Sequence, residues 1–435
     1  MNACDTPMNF LFATWEGGGS VTPALTVVRK LVGRGHSVRV MSDCCSRPEA
    51  EAAGATFVPW TRAPSRPDRS RDTDILRDWD VAAPEDGLRC LVQKIMAGPA
   101  LAYAEDVIEE LRREPADLVV SSEILPGVAA GCELLGQKVV LLGVNLSLFP
   151  VPGIPPLGPG LAPARTDEER ELHEQIASAN IALWDSGLPA LNAARTALGL
   201  EPIDSLLDYP RRTEGMLLAT SRTFDFAPAT LPSHMRYVGP QIGEPAWAAP
   251  YRAPGHSEDD RPLVAICMST SFQNHIGTIQ RLVDAVSDLP VRGLVTLGDS
   301  ILPEEVKAPS NVVLVHSAPH DALMRDAAVV VTHGGHGTVM RALAHRRPML
   351  IIPHGRDQND NAIRVTERGA GLSLPSDASV EAIRAAIAAL LSDPRFARAA
   401  AALGAQVADE IERSPVVEEL ESLARATAGA ELRAA

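Results

Sequence analysis

Residues 329–345 of the 435-residue chain read VVVTHGGHGTVMRALAH, and no other stretch constrains the fold as tightly. The run 329–331 consists of β-branched valines and has the character of a buried strand. A polar turn with three glycines follows, from Thr332 to Thr338, and apolar residues at helical spacing then run over 339–345. A strand that passes through a glycine turn straight into a helix is the unit of a parallel sheet, because the helix must pack back on the sheet it leaves. The glycines let the backbone approach a ligand closely. The free N–H groups of the first helical turn add the positive end of the helix dipole. Such a turn is an anion cradle whose natural occupant is a diphosphate, to which His333 can donate a hydrogen bond and Thr338 a hydroxyl. The competing readings are a plain tight connection and a metal held by the histidine pair. No third Cys, Asp or Glu stands at helpful spacing, so no metal is expected.

The same alternation runs through the rest of the chain. Residues 9–14 (NFLFAT) form a predicted strand, Gly17-Gly18-Gly19 a turn, 22–34 a helix, and 37–42 (SVRVMS) and 56–59 further strands. Helices are predicted over 104–113 and 128–135, and strands over 117–121 and 139–144. The stretch 149–163 (FPVPGIPPLGPGLAP) is too rich in proline and glycine for anything but a loop. Helical segments follow over 167–198. A proline-rich polar stretch at 239–262 reads as an interdomain linker, and the βα pattern then restarts with strands at 263–268, 292–297, 312–315, 328–332 and 348–352. An alanine-rich helix is expected over 395–428. The prediction is an α/β protein of two facing Rossmann-like βαβ domains: an N-terminal domain over 1–240, a linker over 241–262, a second domain over 263–405 and a helical tail over 406–435. A ligand cleft belongs at the carboxyl ends of both strand sets.

Composition narrows the partners. Hydrophobic residues make up 46% and charged residues 22%, enough for a sizeable core in each half. A net charge of −15 argues against nucleic acid or an anionic membrane, which both need a basic face. The six cysteines (Cys4, Cys44, Cys45, Cys90, Cys132 and Cys267) include no C-x-x-C pair and read as reduced thiols. The first residues carry no basic segment followed by a long apolar one, and no run is long enough to span a membrane. The expectation is a cytoplasmic protein whose oligomeric state is left open, a homodimer included.

The segment 333–358 resembles the donor-binding signature of the inverting GT-B glycosyltransferases, a family that includes bacterial natural-product enzymes and plant enzymes using uridine diphosphate sugars. The pattern H-x-G-x-G-T, then P-x-x-x-D-Q after a strand, appears as His333 to Thr338 followed by Pro353, Asp357 and Gln358. The resemblance implies that His333, Gly335, Gly337 and Thr338 hold the diphosphate and that Asp357 and Gln358 bind the donor sugar's hydroxyls. It also places Ser269 and Thr270, in LVAICMSTSFQ, at the phosphates, and Ala318 and His320, in VHSAPHD, at the nucleobase. Plant relatives carry a ribose-binding glutamate three residues beyond Thr338. Arg341 stands there in this chain, which leaves thymidine diphosphate sugars open beside uridine diphosphate sugars. The implied activity needs no cofactor beyond the nucleotide-sugar co-substrate, and its acceptor would be small and largely apolar. Trp15, Trp79, Met96 and Phe149 are candidates for the acceptor pocket or for ordinary core.

The first half departs from the family. There the turn reads G-x-G-H-x-x-P, with the histidine as base; this chain reads Gly17-Gly18-Gly19-Ser20-Val21-Thr22-Pro23. The partner aspartate is also replaced: D-L-V-V leads to Ser121 and Ser122, with Ser122 at the aspartate's place. A serine hydroxyl cannot act as a general base near neutral pH unaided. Glu16 and Glu123 are the substitute candidates, each with a plain reading as a loop carboxylate. A donor-binding helper that has lost transfer, and a sugar-nucleotide epimerase or hydrolase, remain as alternatives.

Overall fold

The chain is described by a computed structural model over residues 6–81, 84–243, 259–269, 272–298 and 301–426. The first sheet contains β1 (Asn9–Ala13), β2 (Ser37–Ser42), β3 (Thr56–Pro59), β4 (Leu118–Ser122), β5 (Val139–Gly143), β6 (Met216–Leu218) and β7 (Met235–Tyr237). Their spatial order is β3-β2-β1-β4-β5-β6-β7. The second sheet contains β8 (Leu263–Cys267), β9 (Arg292–Thr296), β10 (Val312–Val315), β11 (Ala327–Thr332), β12 (Met349–Ile351) and β13 (Gly371–Ser373), in the order β10-β9-β8-β11-β12-β13. Every strand pair is parallel. This is the expected architecture of two Rossmann-like α/β domains.

Helices cover both faces of each sheet, so neighbouring strand residues feed opposite cores. Phe10 and Phe12 face one cluster of the first domain, and Leu11 and Ala13 face the other. That two-sided burial explains the continuous apolar runs of these strands. In both sheets the strand order reverses beside the first strand, between β1 and β4 and between β8 and β11. Ligands of doubly wound sheets bind outside the carboxyl ends at these switch points. The register brings the ends together: Ala13 lies opposite Ser121, and Thr332 opposite Cys267.

Several predicted elements match closely, including 37–42, 56–59 and 312–315. Three differences have physical causes. The helix after β11 begins at His336 rather than 339, because Gly335 caps it and its carbonyl accepts from the Thr338 and Val339 N–H groups. β6, β7 and β13 have no counterpart among the predicted strands; each has three residues, too few to show a period. The C-terminal segment is two helices, Pro394–Glu412 and Val416–Arg425, broken before Pro415, whose ring and missing N–H end the first helix. Most of the expected linker, 244–258, lies outside the described residues, as does 427–435 of the expected tail. Among the described residues no helix is long and apolar enough to cross a membrane.

The break lets the last helix return to the first domain. Val416, Val417, Leu420 and Leu423 join the core cluster of Phe10, Leu25 and Val28. Arg34 and His36 pair with Glu421 of the same helix at 3.0 and 2.9 Å. We expect Leu420→Ala, at a fully buried position, to lower unfolding stability by about 2–5 kcal/mol in chemical denaturation, although the residue lies far from the cleft in sequence.

Candidate active site

The two switch points face one cleft of ≈ 1680 Å³. On the first-domain side, β1 leads into the turn Trp15 to Ser20. Glu16 is 2% exposed, and its carboxylate is fully engaged. Oε1 accepts from the Gly18 N–H at 2.8 Å, and Oε2 accepts from Arg69 Nη2 at 2.9 Å and Nε at 3.1 Å. Its own N–H donates to Asp43 Oδ2 at 2.8 Å. Ser20 Oγ donates to the Trp15 carbonyl (2.9 Å) and accepts from the Gly17 N–H (3.2 Å). Both side chains therefore hold the turn in shape. The Glu16 carboxylate is committed to the Arg69 cation, and the Ser20 proton to the Trp15 carbonyl.

β4 ends at Ser122, and Glu123 follows. Ser20 and Ser122 line one small cavity together, so the two positions of the family's dyad are still neighbours. Glu123 is 3% exposed, lines the main cleft, and its Oε2 has no hydrogen-bond partner. Burial, then the negative charge of Asp357 across the cleft, push its pKa up to about 8; a backbone hydrogen bond from Leu148 opposes them. Room for this carboxyl comes from Gly143, where a Cβ would lie 2.9 Å from Oε2. Gly143 carried no sequence signal beyond ending a strand.

On the other side, β11 delivers His333. Its Nδ1 is buried without a partner, and a Cβ at Gly335 would lie 2.5 Å from its Nε2. Burial and the neighbouring His275, His354 and Arg356 hold its pKa well below the ordinary value, so the ring is neutral. His336 turns away from the turn: its Nε2 pairs with Thr220 Oγ1 of the first domain at 2.7 Å. Gly337 and Thr338 lie in the first turn of helix His336–Ala344 and line the cleft, as do Ser269, Ala318, His320 and Arg341. Thr270 lies outside the described residues. His320 is kept neutral, its pKa lowered to about 4 by burial and by Arg341. Arg341 Nη2 donates to the Gly243 carbonyl at 2.6 Å.

Asp357 caps helix Gln358–Glu367, and its Oδ2 accepts from Asn361 Nδ2 at 3.0 Å. Gln358 is braced on both sides, with Oε1 accepting from the His354 N–H (2.7 Å) and Nε2 donating to Gln273 Oε1 (3.0 Å). Sequence reasoning passed over Gln273, His275, His354 and Arg356. The last two stand within the quoted segment 353–358, and their proximity to Asp357 was the available signal.

Trp15, Trp79 and Phe149 line the cleft beside Leu76, Ile124 and Trp184. Met96 does not. It is 1% exposed in the π-turn Val92–Met96 and packs in the first-domain core. Of the two readings open for it, acceptor pocket or ordinary core, packing gives the core.

Two facing doubly wound domains, with a glycine turn at one switch point, an unpaired carboxyl at the other and one cleft between them, have the architecture of the GT-B fold. The Erythromycin biosynthesis protein CIII-like C-terminal domain family matches residues 280–423. The 4'-demethylrebeccamycin synthase of Lentzea aerocolonigenes is 27% identical over 399 residues, covering 89% of this chain and 92% of its own. The L-demethylnoviosyl transferase of Streptomyces niveus is 28% identical over 419 residues, covering 94% and 95%. The crystal structure of a calicheamicin glycosyltransferase, CalG4, superposes with a TM-score of 0.71 at 22% identity, covering 96% of this chain and 98% of that one. The chain has the GT-B fold of that solved glycosyltransferase, and with the matching C-terminal family and the glycosyltransferases among its relatives it is an enzyme of sugar transfer.

The two turn residues should separate in a mutant pair. Glu16→Gln leaves Arg69 short of one carboxylate and is expected to cost about 1–3 kcal/mol of stability in denaturant titration. Ser20→Ala loses the two internal hydrogen bonds that brace the turn but no proton carrier, so turnover should fall tenfold or less.

Proposed function

We propose that the enzyme transfers a hexose or deoxyhexose from a UDP- or dTDP-sugar to a small, largely apolar acceptor, with inversion and without a divalent metal. The observation that carries this reading is Glu123, a carboxyl in the cleft with one oxygen unpartnered and its pKa pushed up to about 8. A base is most effective when its pKa lies near the working pH. Glu123 takes the proton of the acceptor as the acceptor attacks the anomeric carbon from the first-domain side. Opposite it, the end of helix His336–Ala344 and the neutral imidazole of His333 receive the charge that gathers on the leaving diphosphate. Asp357 and Gln358 hold the sugar between the two. The four aromatic residues Trp15, Trp79, Phe149 and Trp184 support an apolar acceptor.

The base favours transfer over the helper reading, since a protein that only binds donor has no use for an unpaired buried carboxyl. Glu123→Gln keeps the shape and removes the proton acceptor. Turnover should drop about 10²–10⁴-fold, while donor binding by calorimetry stays near that of the unmodified chain. Loss of activity below tenfold would remove Glu123 from the role.

The pH dependence has a definite sign. The folded pKa of Glu123 is raised above that of an unfolded glutamate, so its contribution to stability is present at acid pH and is lost as pH rises toward and through about 8. Glu123→Gln should therefore melt higher than the unmodified chain at pH 9, with the gap narrowing at pH 5. Metal independence is checked by EDTA: full activity after chelation is expected, and activity restored only by magnesium or manganese would contradict it.

A further inference from the structure

Arg356 has a left-handed backbone, φ 56°, one of four non-glycine residues with positive φ among the described residues. A second of the four, Arg77 at φ 50°, precedes Asp78. The residue after Arg77 meets Arg356 across the cleft. Arg356 Nε lies 2.6 Å from Asp78 Oδ2, and its Nη1 donates to the Gly17 carbonyl at 3.2 Å. One guanidinium thus ties three cleft-lining segments: the loop that carries Asp357 and Gln358, the 3-10 turn Asp78–Asp80, and the glycine turn ending at Ser20. The pair is partly shielded, with Arg356 28% and Asp78 13% exposed at their side chains. The same gap is crossed by Trp79, whose ring stands edge-on to Phe272 at 5.3 Å.

Strain of this kind persists only where surrounding contacts determine it, and it concentrates at functional sites. The pair is not saturated, since Asp78 Oδ1 is buried without a partner, which costs stability. We propose that Arg356 is a positioning residue: its bridge to Asp78 and Gly17 holds the sugar-binding loop and the acceptor-side turn in register and keeps water from the donor. This rests on the transfer reading given above. A misplacement of the reacting groups by about 1 Å can cost on the order of 10²-fold in rate, so the bridge acts on the chemical step more than on affinity.

The test compares Arg356→Gln, Asp78→Asn and the double variant with the unmodified chain, using nucleotide sugar with and without an apolar acceptor. Each single variant should lower kcat of transfer about tenfold or more, raise donor KM by less, and increase the share of donor lost to hydrolysis. The double variant should be no worse than the poorer single, because both remove one bridge. Arg356→Lys, which keeps the charge but lacks the fork that spans Asp78 and Gly17, should fall between; it also answers the question if the glutamine variant fails to fold. Unchanged kcat and partition in the singles, a change in KM alone, or losses that multiply in the double would each overturn the proposal. Absence of transfer by the unmodified chain would instead overturn the transfer reading, so the two failures are distinguishable.

Discussion

A carboxyl group taken out of water is held in its charged form only when cations or several N–H groups replace the lost hydration. Glu123 has a single backbone hydrogen bond, from Leu148, and faces another carboxylate, Asp357. Three other buried acids of the first domain are treated differently. Glu16 is gripped by Arg69, and Asp43 accepts from two backbone N–H groups, those of Glu16 and Arg66. Asp106 accepts from the N–H groups of Thr61, Arg62 and Ala63. Of these four acids, Glu123 alone has neither a cation nor a second N–H donor.

That arrangement follows from the topology. Two parallel sheets with their switch points facing each other bring four strand ends to one cleft, those of β1, β4, β8 and β11. A braced glycine turn follows β1, the unpaired carboxyl follows β4, Ser269 follows β8 and the second glycine turn follows β11. Buried polar contacts fix the halves against each other, notably Arg364 with Asp225 at 2.8 Å, side chains 3% and 2% exposed, and Thr220 with His336. Breaking one partner of such a buried pair is costly, so the relative placement of the two strand-end sets is well determined.

Much of this was legible in the sequence. The strand–glycine–helix units gave the sheets, and the His333 to Gln358 segment gave the second-domain wall of the cleft, because its residues lie in one short stretch. Glu123 was reachable because it follows the strand whose usual aspartate is missing. What the sequence could not show is pairing between distant segments. Nothing local distinguishes Glu16, locked by Arg69, from Glu123, left free; nor does spacing join Asp78 to Arg356, 278 residues apart. Gly143 matters only through the carboxyl it makes room for. Met96 stayed open between pocket and core for a different reason: an apolar side chain carries no mark of whether it faces a cleft or a core.

Whether Glu123 replaces the family's histidine as the proton acceptor can be measured directly. Difference infrared titration of the unmodified chain against Glu123→Gln isolates the carbonyl stretch of its protonated carboxyl. This band should disappear with a midpoint near pH 8, as the buried, unpaired carboxyl requires, and kcat/KM for transfer should rise with the same midpoint. A midpoint near that of an ordinary glutamate, about 4, or a kcat/KM profile indifferent to the transition, would contradict that role.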